Sequence, residues 1–222
     1  MQTISALGLL LLSYLIGSVP FGLIIVHWST GKDIRHVESG RTGGTNAMRA
    51  AGFWAGLATA ICDLLKAALM VWLARWLFPG NAWLQILAPI ATVVGHNFSI
   101  FLVERNEKGK LRFRGGAGGA PTVGGALGLW APSILVIIPL GALLLYLVGY
   151  ASVATMSVAV TAILLFSVLA ELGKVPWQFI LYGVFTLLIL IYALRPNIRR
   201  LMNGTERLVG LRAKHRKQQL QE

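Results

Sequence analysis

Apolar runs longer than a small soluble core requires recur along this chain, and very few charges interrupt them. They occupy about Ile4 to Trp28, Phe53 to Phe78, Trp83 to Val103 and most of the 73 residues from Thr122 to Leu194. About 20 apolar residues suffice to cross a bilayer as a helix, and a helix satisfies its own backbone polar groups where no water is available. With 56% hydrophobic and 13% charged residues and a mean hydropathy of +0.70, the chain is expected to be an all-α integral membrane protein. A membrane β-barrel would alternate apolar and polar residues over roughly ten-residue segments, a pattern this chain lacks. The single cysteine, Cys62, excludes an internal disulfide or a CxxC metal site.

The net charge of +12 is concentrated beside the apolar runs. Residues 28–52 hold Lys32, Arg35, Arg41 and Arg49; residues 104–116 hold Arg105, Lys108, Lys110, Arg112 and Arg114; residues 195–222 hold eight more, making 17 of the 20 basic residues. Cytoplasmic loops are enriched in Lys and Arg, so all three regions are expected in the cytoplasm, facing anionic lipid headgroups. No recognition module accompanies the charge, and nucleic acid is not an expected partner.

The first run has no basic segment before it and is longer than the core of a signal peptide, about 7–15 residues, so it reads as a retained helix with its N-terminus outside. Three crossings precede residue 104. If the second basic region and the tail share a side, an even number must separate them, although the breaks near Pro139-Leu140-Gly141, Gly149-Tyr150 and Glu171 to Pro176 suggest three. Four, averaging about 18 residues, gives seven helices, with five as the alternative. The expected organisation is a polytopic membrane domain over residues 1–194, with cytoplasmic loops at 28–52 and 104–121, and a basic cytoplasmic tail over 195–222. That tail, with Lys214-His215-Arg216-Lys217 near its end, is expected to be a surface helix or disordered. No internal repeat of the transporter kind is visible.

Three polar segments fall on the side the charges mark. Glu38 to Arg49 combines glycines, hydroxyls and arginines, which suit phosphate oxygens, although a solvated connector would have a similar composition and the GK[ST] ending of a P-loop is absent. Gly95-His96-Asn97-Phe98 leads through Arg112-Phe113-Arg114 to the glycine run Gly115 to Gly119, which opens a helix; it fits either an anion cradle or close helix packing. Arg195 to Glu206 places Asn197 and Arg200 on one helical face, and a stop-transfer cluster would also look basic. Asp63 and Lys66 stand three apart inside an apolar run, where ionisable groups are costly; they suggest function or a structural pair. His96 lacks the sequence context of a general base. With no metal cluster and no evident nucleophile, the set suggests binding of phosphorylated substrates, with chemistry supplied by positioning and charge.

The segments Ser39-Gly40-x-x-Gly43-x-Thr45-Asn46-x-x-Arg49, Asp63-x-x-Lys66, Gly95-His96-Asn97-Phe98 with Gly115-Gly116-x-Gly118, and Asn197-Ile198-x-Arg200-Leu201-x-x-Gly204-Thr205-Glu206 occur in the order of motifs in one enzyme family. The chain resembles the bacterial acyl-phosphate:glycerol-3-phosphate acyltransferases from about Gly17-Ser18-Val19-Pro20 to Glu206. The resemblance implies a seven-helix fold in a bacterial plasma membrane. It also implies acyl transfer from acyl phosphate to the sn-1 hydroxyl of glycerol 3-phosphate, giving lysophosphatidic acid and phosphate, with no coenzyme A, acyl carrier protein, metal or other cofactor. Catalytic roles are implied for Ser39, Arg49, His96, Asn97, Asn197 and Glu206. Substrate or phosphate contacts are implied for Gly40, Arg41, Gly43, Thr45, Asn46, Lys66, Gly115, Gly116, Gly118 and Arg200, with Ser39, Thr45, Arg49 and the Gly115-Gly116 backbone cradling phosphate.

Departures from the family pattern are as specific as the matches. Ala117 stands where the family usually has lysine, and Arg112 and Arg114 are the candidates for a replacement charge. Arg41 replaces the usual asparagine and Thr42 the usual proline. About Glu104 to Arg112 is an insertion, an extra residue lies near Pro121, and Arg195 stands near a common histidine position. The alternatives to an active acyltransferase are a relative that binds a phosphorylated lipid or metabolite without this chemistry, and a transporter. The gathering of polar motifs at one face disfavours transport, whose sites lie near the bilayer midplane.

Overall fold

The computed structural model describes residues 2–105 and 109–209. Nine α-helices and one short hairpin make up these residues: α1 (Gln2–Ser18), α2 (Phe21–Thr30), α3 (Gly44–Ala51), α4 (Phe53–Leu77), α5 (Ala82–Asn97), β1 (Val103–Arg105), β2 (Leu111–Phe113), α6 (Gly119–Leu129), α7 (Ile134–Val148), α8 (Ala151–Glu171) and α9 (Gln178–Met202). Among them, six segments are long and apolar enough to cross a membrane, α1 and α2 counting as one. The chain is a multi-pass helical membrane protein.

The continuous first helix expected from Ile4 to Trp28 is broken. Pro20 has no N–H and disfavours helical geometry at Val19, so α1 ends at Ser18 and α2 begins at Phe21. The break exposes carbonyls inside the protein: Ser99 Oγ donates to Ser18 O at 2.6 Å, and Lys66 Nζ donates to Val19 O at 3.1 Å.

Between the second basic region and the chain end lie the four helices α6 to α9, of which three, α7 to α9, are long and apolar enough to cross a membrane where four crossings were expected. Helix α6 has only 11 residues. At 1.5 Å per residue it is about 16 Å long, half of a hydrocarbon core. The expected break at Pro139-Leu140-Gly141 does not occur: Pro139 lies inside α7, a position membrane helices tolerate when neighbouring groups satisfy the freed carbonyl. The break falls instead at extended Trp130, ahead of the 3₁₀ turn Ala131–Ser133. Tyr150 forms an antiparallel bridge with Leu208, so the α7–α8 turn lies at the bundle end where α9 finishes. Helix α9 runs through Pro196 to Met202, so Arg195, Asn197 and Arg200 stand on the same helix that begins at Gln178. The tail after Val209, including Lys214 to Lys217, lies outside the described residues, as does Lys108. The insertion forms the β1–β2 hairpin, a small departure from the all-α expectation, with Glu104 opposite Arg112.

Glycines allow the helices to approach closely. A β-carbon on Gly17 would sit 2.2 Å from Thr92 O, and one on Gly95 would sit 2.1 Å from Tyr14 O. These contacts lock α1 onto α5 through backbone, so no side-chain rotation relieves an added methyl. Gly95→Ala is expected to destabilise the protein by about 3 kcal/mol, read as a fall in melting temperature in detergent. Gly8→Ala, which meets nothing within 4 Å, is expected to leave that temperature unchanged.

Candidate functional site

The first polar segment is folded by its own side chains before it meets a ligand. Asp33 accepts from the Arg35 backbone N–H and guanidinium, and Arg35 also reaches Glu104 of the hairpin at 3.3 Å. The Arg35 side-chain hydrogen bonds hold the Asp33 carboxyl at about 2, below its ordinary 3.8. A depressed carboxyl pKa contributes stability that is complete above the unfolded value and is lost as pH falls through the folded one. Wild-type melting temperature is therefore expected to fall between pH 4 and pH 2 more steeply than that of Asp33→Asn. Downstream, Glu38 and Gly40 both take left-handed conformations, with φ of 49° and 65°, and turn the chain back on itself. Asn46 is buried, and its amide nitrogen donates to Ile34 O, Val37 O and Arg41 O at 3.3, 3.0 and 2.9 Å. That nitrogen braces the loop and is not free for substrate.

The second segment uses its glycines chiefly for packing. β-Carbons at Gly115 and Gly116 would lie 2.2 Å from His96 O and 1.9 Å from His96 Nε2. The Gly116 N–H donates to His96 O at 2.9 Å. Gly115 and Gly116, expected to cradle phosphate, pack against His96, and the glycine backbone lining the cavity is that of Gly118 and Gly119 at the start of α6. Gly118, with φ of 92°, is in the left-handed region and caps that helix.

Beneath this loop lies a buried charged cluster. Lys66 Nζ is 2.8 Å from Asp63 Oδ1 and 3.1 Å from His96 Nδ1, while His96 Nδ1 is 3.4 Å from the same carboxylate oxygen. All three side chains are buried. An ammonium only donates, so Nδ1 of His96 accepts and the neutral ring carries its proton on Nε2. Lys66, expected to contact phosphate, lies behind the cavity wall and holds Asp63 and His96, which line the cavity.

The third segment folds back at Asn203-Gly204 and buries Glu206 against α9. Asn197 Nδ2 donates to Glu206 Oε1 at 2.8 Å and Arg200 Nε to Glu206 Oε2 at 3.1 Å, so both carboxylate oxygens are occupied. Arg41 joins all three segments: Nη1 donates to Gly116 O at 3.1 Å, and Nη2 to Ala193 O at 2.7 Å and Asn197 Oδ1 at 3.1 Å. Burial, reinforced by nearby Arg200, lowers the Arg41 pKa. Arg41 is the cation against the Gly116–Ala117 peptide. The expected substitutes do not fill this place: Arg112 and Arg114 line a neighbouring cavity, and Arg114 Nε is held by Glu104 at 2.8 Å.

Together the segments enclose a cavity of about 330 Å³ lined by Ser39, Arg41, Gly43, Thr45, Asn46, Arg49, Asp63, His96, Gly118, Asn197, Arg200 and Glu206, with Ala117 in its wall. Of the expected site residues, Gly40, Asn97 and Gly115 instead line the neighbouring cavity, and Lys66 and Gly116 support the walls. Arg49 has no hydrogen-bond or ion-pair partner among the described residues and remains available to a ligand. Ala151, Ser152 and Thr155 of α8 also line the cavity, and Ser152 Oγ is buried without a partner. Nothing in their sequence separates them from other small helical residues, and only the α7–α8 turn brings them here. Among the described residues, no three His, Cys, Asp or Glu side chains gather at metal-binding distance.

An arginine-walled cavity at one end of a membrane helix bundle defines a membrane protein that handles anionic substrates. The family model for glycerol-3-phosphate acyltransferase matches residues 7–204. The chain is 37% identical over 213 residues to a glycerol-3-phosphate acyltransferase of Thermus thermophilus, covering 96% of this chain and 99% of the relative. It is 32% identical over 237 residues to that of Chlorobium limicola, covering 93% and 97%. It is also similar to the crystal structure of PlsY (YgiH), an integral membrane glycerol 3-phosphate acyltransferase, in its glycerol 3-phosphate form. The TM-score is 0.76 at 30% identity, covering 93% of this chain and 96% of that one. The lysophosphatidic acid form of the same protein gives 0.75 at 29% identity and the same coverage. The chain belongs to the glycerol-3-phosphate acyltransferase family.

Proposed function

We propose that this membrane acyltransferase uses the Arg49-bearing cavity to move a fatty acyl group from acyl phosphate to the sn-1 hydroxyl of glycerol 3-phosphate. The hydroxyl oxygen attacks the acyl carbonyl carbon, the bond from that carbon to the phosphate oxygen breaks, and lysophosphatidic acid and phosphate form. The donor is already an activated mixed anhydride, so the enzyme needs no covalent nucleophile and works by holding two phosphates and the reacting groups together. Arg49 and Arg200, with the Ser39 and Thr45 hydroxyls, bind phosphate; Asn197 and Glu206 form a braced pair that positions the acceptor; His96 is a fixed wall of the site.

The proton of the attacking hydroxyl goes to the departing phosphate. The side chains nearby support this route: Glu206 accepts two hydrogen bonds, Glu38 pairs with Arg207, and Asp63 Oδ1 pairs with Lys66. Asp63 Oδ2 lacks a partner among the described residues and is the alternative acceptor. The basic loops, of the kind enriched on the cytoplasmic face, support a reading in which the site lies on the cytoplasmic side of a bacterial inner membrane, with the N-terminus outside.

The observation that carries this reading is Arg49, unpaired among the described residues, in a cavity that also holds Arg200, Asn197 and Glu206. Purified protein in lipid vesicles, given palmitoyl phosphate, is expected to release phosphate and form lysophosphatidic acid only when glycerol 3-phosphate is added. Arg49→Ala is expected to lower kcat/KM about a hundredfold or more, the scale of losing one charge-stabilising donor. Wild-type turnover that survives this substitution unchanged would remove Arg49 from the site.

A further inference from the structure

On the hairpin side of Arg41 lies a second, larger cavity of about 570 Å³. Its lining includes six arginines, Arg35, Arg41, Arg112, Arg114, Arg195 and Arg200, and one acid, Glu38. The two cavities share Glu38, Ser39, Arg41, Asn197 and Arg200, and the 3.1 Å bond from Arg41 Nη2 to Asn197 Oδ1 closes the wall between them.

Most of the charge here is already matched. Glu104 serves Arg35 and Arg114, Glu206 serves Arg200, and Arg207 takes Glu38. Arg112 and Arg195 have no carboxylate partner among the described residues; Arg195 only stacks over the Tyr192 ring, 4.3 Å from its centroid. Guanidinium groups without counter-charges at a concave surface favour a phosphate dianion. An independent observation concerns Asn97, which lines the same cavity and is only 4% exposed. Both its amide nitrogen and its amide oxygen are buried without hydrogen-bond partners. A hydroxyl group both donates and accepts, and so satisfies either atom.

Resting on the acyl-transfer reading above, we propose that the hairpin-side cavity is an antechamber. It binds the water-soluble polyol phosphate substrate, with phosphate toward Arg112 and Arg195 and hydroxyls toward Asn97, before that substrate passes the Arg41–Asn197 wall. The membrane-borne donor carries the same phosphate chemistry and does not use this cavity.

The test is the double variant Arg112→Glu with Arg195→Glu in lipid vesicles, beside the conservative Arg112→Lys with Arg195→Lys. The KM for glycerol 3-phosphate is expected to rise roughly tenfold in the glutamate variant, with kcat, the KM for palmitoyl phosphate and the melting temperature unchanged; the lysine variant keeps most of the affinity. The same protein is examined by melting with glycerol 3-phosphate alone, whose stabilisation of wild type is expected to be lost in the glutamate variant. An unchanged glycerol 3-phosphate KM overturns the proposal, as does a rise confined to the palmitoyl phosphate KM. If wild type shows no turnover but glycerol 3-phosphate raises its melting temperature through these two arginines, the antechamber stands and the transfer reading falls.

Discussion

Gly116→Ala is expected to reduce kcat/KM for glycerol 3-phosphate at least about a hundredfold, equivalent to about 2.7 kcal/mol of transition-state stabilisation. The added methyl would lie 1.9 Å from His96 Nε2 and 2.5 Å from His96 Cε1, inside any allowed contact. Neither partner can yield cheaply. The ring is fixed at Nδ1 by Lys66, and the Gly116 backbone is held by the His96 carbonyl at 2.9 Å and by Arg41 at 3.1 Å. Relief requires moving His96 off the Asp63–Lys66 pair or lifting the 115–117 peptides away from Arg41, and both rebuild the cavity wall. Gly8→Ala is the control, since a β-carbon there meets nothing within 4 Å. It is expected to stay within a few-fold of wild type. A Gly116→Ala enzyme with wild-type kinetics would show that the wall around His96 is not part of the site.

The second large effect is expected at Asp63. Among the described residues, its carboxylate is the only counter-charge to Lys66, which is 3% exposed. Asp63→Leu leaves an ammonium buried with only neutral partners, Val19 O and His96 Nδ1, and removing one member of a buried ion pair costs about 3–5 kcal/mol. The single variant is therefore expected to melt far below wild type. Exchanging both charged residues, Asp63→Leu with Lys66→Met, removes the uncompensated charge and is expected to recover most of the stability. Activity is expected to stay low in the double variant, because His96 Nδ1 has then lost its donor and the ring its fixed tautomer. Recovery of activity along with stability would make the cluster purely structural.

The apolar runs and the placement of basic residues made the membrane class legible, because bilayer thickness and loop charge act on local composition. The second and third spans begin and end near the expected residues, at Phe53–Leu77 and Ala82–Leu102. Prolines were harder to interpret: Pro20 breaks a helix that reads as continuous, whereas Pro139 and Pro196 sit inside helices, and tertiary satisfaction of freed backbone groups decides between these outcomes. The short α6 was hidden because its apolar composition is that of its neighbours.

At the site, Ser39, Thr45, Arg49, Asn197 and Glu206 do converge, as polar groups grouped at one face suggested. The Asp63–Lys66 pair was visible as an i, i+3 spacing, but its third member, His96, is 30 residues further along and is brought in by the α4–α5 packing. The roles of Asn46 and Gly116 were not visible, because an amide facing three carbonyls or a glycine pressed on an imidazole leaves no local signature. Arg41, an apparent phosphate ligand in the sequence, is largely committed to protein carbonyls and Asn197.

Direct transfer within one cavity is tested most sharply by rapid-quench measurement of phosphate release from palmitoyl phosphate before glycerol 3-phosphate is added. Without the acceptor, no phosphate burst is expected; on its addition, phosphate and lysophosphatidic acid are expected to appear together in equal amounts. A burst of one phosphate per enzyme molecule, with the acyl group trapped on a side chain, would contradict the account.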